Sequence, residues 1–238
     1  MKTELHTADS RGHADHGWLN SYHSFSFANY YNPQRMNFGA LRVLNDDTVN
    51  GGMGFGAHPH ANMEIVSIPL EGDLEHQDST GRKAIIKNGD IQVMSAGTGI
   101  THSEKNANND REVKFLQIWI IPNRQQVEPR YDQITLDPKD RHNQLQQILS
   151  PQKDDEGVWI HQNAWFHLTN MDQDHKLTYE IKQKGNGVYA FVINGKATVA
   201  GEHLGMRDAL AITEVDTFTL TALSHQTEML LMEVPMTV

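Results

Sequence analysis

The chain has 238 residues, enough for one large β domain or two small ones, with no cysteine and a formal charge of −10 from 20 basic and 30 acidic residues. The missing cysteines exclude a disulfide framework and any thiolate ligand or nucleophile. Scattered arginines within an acidic chain argue against nucleic acid and anionic membranes as direct partners.

No run reaches the ~18 apolar residues that a membrane span needs. Residues 1–6 carry no apolar leader, so a cytoplasmic location is expected. Residues 10–19 (SRGHADHGWL) read as a Gly-punctuated surface loop anchored by Trp18, which leaves His13 and His16 as loop residues rather than ligands. Residues 22–31 alternate polar and apolar side chains and predict a strand that ends at Asn32-Pro33. Residues 38–44 predict a second strand, and residues 45–52 (NDDTVNGG) a turn-rich connection.

The stretch from Gly52 to Asn106 holds the chemistry. On a strand, residues two apart share a face, so His58 and His60 aim at one point. His102 and Glu104 share a face in the same way, about 40 residues later. Three imidazoles and one carboxylate from two neighbouring strands make a mixed N/O metal site with positions left for water or substrate. Between the two pairs, residues 63–70 (MEIVSIPL) predict a buried strand. Glu71-Gly72-Asp73 predicts a hairpin returning through residues 74–79, and Asn88-Gly89-Asp90 a tight turn. Residues 113–121 predict a long apolar strand closed by Pro122.

Residues 144–149 read as a short helix and residues 151–157 (PQKDDEG) as a solvated linker. A domain boundary is expected within 135–157, giving domains at 1–135 and 136–238. The β pattern then resumes, with Asn194-Gly195 predicting a hairpin whose second strand pairs back from Lys196. Residues 205–212 echo residues 89–93, a weak internal repeat. His161, His167, His175, His203 and His225 are dispersed and read as surface or core residues.

Gly52, His58-Pro59-His60, Glu64 and Gly72 resemble the first cupin motif; Gly89, Gly99-Ile100-Thr101-His102 and Asn106 resemble the second. Residues 12–19 (GHADHGWL), Phe25-Ser26-Phe27, residues 41–47 (LRVLNDD), 94–99 (MSAGTG) and 118–122 (IWIIP) resemble the pirin family more narrowly, in particular its bacterial members with quercetin 2,3-dioxygenase activity. The resemblance is strong over residues ~10–135 and one of layout beyond them. It implies an all-β bicupin: two antiparallel β-barrel (jelly-roll) domains packed together, the N-terminal one binding metal and the C-terminal one metal-free. The implied ligands are His58, His60, His102 and Glu104. Ordinary cupins place a ligand glutamate five residues past the second histidine, where this chain has Ile65. Glu64, one residue earlier, is then a candidate to orient a ligand or touch substrate.

The implied activity is a dioxygenase that cleaves flavonol-type substrates with O2 at one divalent transition metal. Fe(II) is the first choice, and Ni, Co, Mn, Cu or Zn suit the same ligands. Glu104 or Glu64 is the candidate catalytic base, and Phe25, Phe27, Met53 and Phe55 are candidates for an apolar wall. Two other readings stay open: a metal- and redox-sensing regulator acting through protein partners, and a metal-free binder of sugars or acids.

Overall fold

The computed structural model describes residues 1–237. Alternating apolar and polar side chains, punctuated by Gly, Asn and Asp, favour strands over helices. Strands dominate accordingly, with 3-10 turns at Ala8–Ser10 and Pro138–Arg141 and no α-helix among the described residues. Among them, no helix is long and apolar enough to cross a membrane.

The strands form two seven-stranded and two four-stranded sheets. The N-terminal seven-stranded sheet contains Gly12–Asp15, Leu19–His23, Leu41–Val49, Glu64–Glu71, Asp90–Ser95, Val113–Ile120 and Arg130–Thr135. Its four-stranded partner contains Gly54–His60, Leu74–Asp78, Lys83–Ile86 and Ile100–Asn106. The C-terminal half repeats this plan, so the bicupin expectation holds. Each unit is a pair of stacked sheets, however, not a closed barrel. Pairing is antiparallel except between Gln146–Ser150 and Val158–Trp159, which run parallel. The N-terminal strand Lys2–His6 pairs with Ala209–Thr213 and so joins the C-terminal sheet.

One contiguous apolar core joins the two seven-stranded sheets. Val66, Ile68, Ile118 and Ile120 come from one side, and Phe166, Tyr189, Phe191 and Met232 from the other. Because side chains alternate along each strand, the opposite faces look into each unit. In the C-terminal unit that interior is apolar, filled by Val188, Val192, Leu210, Ile212, Phe218 and Leu220. In the N-terminal unit it carries Asn45, Asp47, Ser67, Gln92 and Gln117 from the large sheet and His76, His102 and Glu104 from the small one, all buried. Apolar packing there is confined to two small clusters around Phe115 and Met94. A polar interior cannot be filled by apolar packing, and this leaves the N-terminal unit the hollow one.

Several local expectations are corrected. Gly72, Gly89 and Gly195, with φ of 74°, 93° and 81°, do reverse the chain, but not into hairpins. At each, the chain leaves one sheet for the other: Glu64–Glu71 and Leu74–Asp78 lie in different sheets, as do Asn186–Asn194 and Ala197–Val199. Turn chemistry specifies reversal, while the choice of sheet is a matter of which face each strand can bury. The expected strand at residues 22–31 stops at His23. Beyond it Ser26 takes over backbone partners, its Oγ donating to the Asn32 carbonyl at 2.9 Å and accepting the Asn32 N–H at 2.8 Å. Of the connection expected at residues 45–52, residues 45–49 are instead strand, part of Leu41–Val49, held between Leu19–His23 and Val113–Ile120. The loop expected around His13 is a short hairpin, Gly12–Asp15 with Leu19–His23. The helix expected at residues 144–149 is replaced by the strand Gln146–Ser150, because Ile148 and Leu149 are fully buried in the shared core.

His167, buried beside Tyr179 in the C-terminal unit, has its pKa lowered to about 4, by burial first and then by the Lys182 charge. A histidine with a lowered folded pKa contributes stability that is complete above the unfolded value near 6.5 and is lost as pH falls through 4. His167→Gln should therefore shrink the stability difference between pH 7 and pH 5 by about 2 kcal/mol, one and a half pH units of linkage. Urea melts at the two pH values measure it; an unchanged difference would show that His167 is not held neutral.

Candidate metal centre

His102 and Glu104 sit on Ile100–Asn106, whose burial alternates: Ile100, His102, Glu104 and Asn106 face inward. Antiparallel pairing sets His58 directly across from His102, with a register shift before Glu104 opposite Phe55. Gly54 makes this approach possible, since a Cβ there would lie 2.3 Å from Lys105 Cα. Gly54–His60 is an edge strand, a position that tolerates Pro59, which has no N–H to donate.

The donor atoms of His58, His60 and His102 lie within 4.8 Å of one another. Those of His76, His102 and Glu104 form a second, overlapping group at the same limit. Three of the expected ligands, His58, His60 and His102, thus share one donor group, while Glu104 is grouped with His102 and His76 and not with His58 and His60. The rings of His58 and His102 are 4.5 Å apart, and His60 is 4.9 Å from each.

The chemistry of this cluster suits a metal. Burial, and then the other histidines, push the His60 pKa down to about 4 and that of His102 to about 3. Both rings are therefore neutral, the form that offers a lone pair. His58 Nδ1 donates to the Gly56 carbonyl at 2.8 Å, leaving Nε2 for coordination. His102 Nε2 is buried with no partner in the protein, a costly arrangement unless a cation takes the lone pair. Glu104 receives Gln117 Nε2 at 3.0 and 3.1 Å and Ser67 Oγ at 3.2 Å, which aim its carboxylate. His76, not singled out from the sequence, continues the network: its Nε2 lies 2.8 Å from Asp78 Oδ2, and its Nδ1 is 3.5 Å from His102 Nδ1. The His-x-Asp spacing, inward at both ends, was the available signal.

Glu64 is not in this cluster. It shares its strand face with Val66 and Ile68, toward the shared core, whereas Ser67 on the other face reaches Glu104. Its Oε2 accepts from Ser95 Oγ at 2.6 Å. Burial pushes its pKa up to about 7, against the pull of Ser95, Arg130 and the His161 backbone N–H. Gly54–His60 and Glu64–Glu71 lie in different sheets, so parity does not carry from one to the other, and the residue nearest the cupin position faces away from the histidines.

A cavity of about 550 Å³ opens beside the histidines, within the range of small-molecule sites. Phe27, Phe55, Trp18 and Trp119 supply its apolar walls, with the Trp119 ring 4.9 Å from His60. His13 and His16 stand at its exposed rim. Of the other expected wall residues, Phe25 is buried in the shared core beside Tyr189, and Met53 is exposed and does not line the cavity. Tyr30 closes over the hairpin so tightly that a Cβ on Gly12 would be 2.2 Å from its ring.

Two stacked cupin units, one hollow and histidine-lined and the other filled, define a bicupin with its candidate metal centre in the N-terminal unit. The chain belongs to the pirin family: the Pirin model matches residues 4–120 and the model for the quercetinase C-terminal cupin domain matches residues 147–234. It is 42% identical to a quercetin 2,3-dioxygenase of Escherichia coli O157:H7, over 97% of this chain and 98% of that protein. It is 38% identical to a pirin-like protein of Caulobacter vibrioides, over 90% and 92%. The crystal structure of the bacterial pirin YhhW from Escherichia coli in complex with nickel(II) superimposes with a TM-score of 0.93, at 40% identity over the whole of both chains.

Proposed function

We propose that this protein is a metal-dependent dioxygenase acting on flavonol-type substrates, with His58, His60, His102 and Glu104 as metal ligands. The observation that carries the reading is the convergence of three imidazoles, two of them held neutral by burial, on one point beside a buried carboxylate at the wall of a ligand-sized cavity. Relatives named as quercetin 2,3-dioxygenases supply the substrate class. Fe(II) is the proposed metal, although nickel(II) occupies the Escherichia coli relative's crystal and the N/O donor set accepts either. A redox-active divalent ion bound here would supply Lewis acidity and a route for electrons between an enediol-like substrate and O2.

The protein's own groups do the rest. Gln117 and Ser67 hold Glu104 in one orientation, which makes it the base proposed to take the proton of a substrate hydroxyl. Phe27, Phe55 and Trp119 clasp a planar ring system and keep bulk water from it. Glu64 has no part at the metal in this scheme.

Aerobic incubation of the iron- or nickel-loaded protein with quercetin should bleach the yellow flavonol band. Glu104→Gln should cut the rate at least about a hundredfold, the scale of losing a general base, while Glu64→Gln leaves it within about twofold. No bleaching with any loaded metal would sink the reading in favour of a redox-sensing regulator.

A further inference from the structure

Two buried side chains beside His102 have no role in the scheme above. His76 and Asp78 expose no side-chain surface and do not line the cavity, so neither can touch a substrate. Both lie on Leu74–Asp78, the neighbour of Ile100–Asn106 in the small sheet. Antiparallel pairing sets Asp78 opposite His102 and His76 opposite Glu104. Opposed residues share a face, so all four side chains look into the unit together. The His76 ring is packed between two others, its centroid 5.3 Å from that of His102 and 4.9 Å from that of Tyr131. A ring packed on both sides keeps one orientation.

The hydrogen bonds from Asp78 to His102 run in one direction, and both ends require it. At one end, Asp78 Oδ1 accepts the Thr80 N–H at 2.9 Å, the Thr80 hydroxyl at 2.6 Å and the Arg82 N–H at 3.3 Å. Three donors on one oxygen favour the ionised carboxylate, so Oδ2 accepts from His76 Nε2 at 2.8 Å. A His76 ring with its proton on Nε2 presents Nδ1 as an acceptor. At the other end, a proton on His102 Nε2 would be a buried donor without an acceptor, because that nitrogen has no partner in the protein. The His102 proton is therefore on Nδ1, and it points at His76 Nδ1, 3.5 Å away. This link is the long one of the series, and it is the one that a cation on Nε2 strengthens. An imidazole that gives its lone pair to a cation is a better N–H donor.

We infer that Asp78 and His76 form a positioning relay that keeps His102 in the one tautomer able to bind a metal through Nε2. Histidine ligands are commonly oriented by a carboxylate or carbonyl on the far ring nitrogen; here a second imidazole is interposed between ligand and carboxylate. Asp78 acts only through His76, and neither residue touches the ion. The inference rests on His102 as a metal ligand and not on the substrate or reaction proposed above.

Asp78→Asn tests the relay because it inverts it. The amide oxygen has to stay where the two backbone N–H groups point, which turns the NH2 group toward His76 Nε2. His76 then carries its proton on Nδ1 and donates to His102 Nδ1. The His102 proton moves to Nε2 and blocks the lone pair, the tautomer error that an Asp-to-Asn exchange beside a histidine produces. Chelator competition for nickel(II), on the full-length protein, should give an affinity at least about tenfold weaker for Asp78→Asn than for the wild type. It should also be weaker than for Asp78→Ala, which loses the contacts to Thr80 and Arg82 but imposes no tautomer. A merely structural Asp78 predicts the reverse order, since asparagine keeps those contacts. In a His76→Phe background, Asp78→Asn should change nickel affinity by less than about twofold. Ring-nitrogen NMR of the metal-free protein should place the His102 proton on Nδ1 in the wild type and on Nε2 in Asp78→Asn. An Asp78→Asn affinity within about twofold of wild type, an asparagine effect that persists without His76, or a wild-type His102 protonated on Nε2 would each overturn the relay. A wild type that binds no nickel would overturn the metal centre with it, whereas absence of flavonol turnover would overturn only the dioxygenase reading.

Discussion

His102→Ala is expected to strip the protein of metal and reduce flavonol turnover to background. His102 is the one residue common to both donor groups, and its Nε2 is buried with no partner in the protein. Losing a partner that merely orients a ligand costs roughly ten- to a hundredfold in metal affinity, and losing the ligand itself should cost more. The remaining His58 and His60 lie on an edge strand and are half-exposed, so they hold no ion on their own. The fold should survive, because His102 contributes no apolar packing to the strands around it. Elemental analysis after dialysis, together with a cooperative urea melt, separates metal loss from unfolding. Stoichiometric metal in the folded variant would overturn the assignment of the centre.

Glu233→Ala should be the most damaging change far from the cavity. Glu233 is fully buried in the C-terminal unit. Its Oε2 accepts from Tyr179 Oη and the Lys182 N–H, both at 2.9 Å, and its Oε1 from the Gln183 N–H at 3.0 Å and Asn186 Nδ2 at 2.9 Å. This carboxylate ties the segment after Lys176–Glu180 to the strands Asn186–Asn194 and Thr227–Pro235. Alanine would take an acceptor from four donors; Asn186 Nδ2 keeps the Asn163 carbonyl and Tyr179 Oη stays near His167 Nδ1, but the two backbone N–H groups have no other partner here. Removing one side of a buried charged network costs about 3–5 kcal/mol, a large fraction of the stability of an ordinary domain. The urea midpoint should fall accordingly, and Glu233→Gln, which keeps one acceptor oxygen, should recover part of it. A loss under about 1 kcal/mol would mean that water replaces the carboxylate freely.

The residues of the candidate centre were legible because strand periodicity is local. His58 with His60, and His102 with Glu104, share a face whatever the rest of the chain does, and the alternating burial of Ile100–Asn106 follows that rule. Glu64 shows the limit of the same rule. Parity counted across Pro59 and the connecting residues does not survive the change of sheet, and the side chain points into the shared core. His76 and Asp78, two residues apart, share a face in the same way, but only the folded chain brings that pair against His102. The sequence hides Asn45 and Asp47 for a related reason: their composition is turn-like, and only their position between two paired strands makes them strand residues lining the cavity.

The chain alone thus determined what periodicity and composition encode: strands nearly throughout, a doubled plan, and one His/His and one His/Glu pair, each presented on one face. Tertiary structure decided which sheet each strand joined after Gly72, Gly89 and Gly195, and therefore which side chains met. A turn specifies that the chain reverses, but the face a strand buries depends on partners distant in sequence. Hence the buried polar cluster of Ser21, His23, Asn45 and Asp47, assembled by pairing between strands over 20 residues apart, exists only in the folded protein.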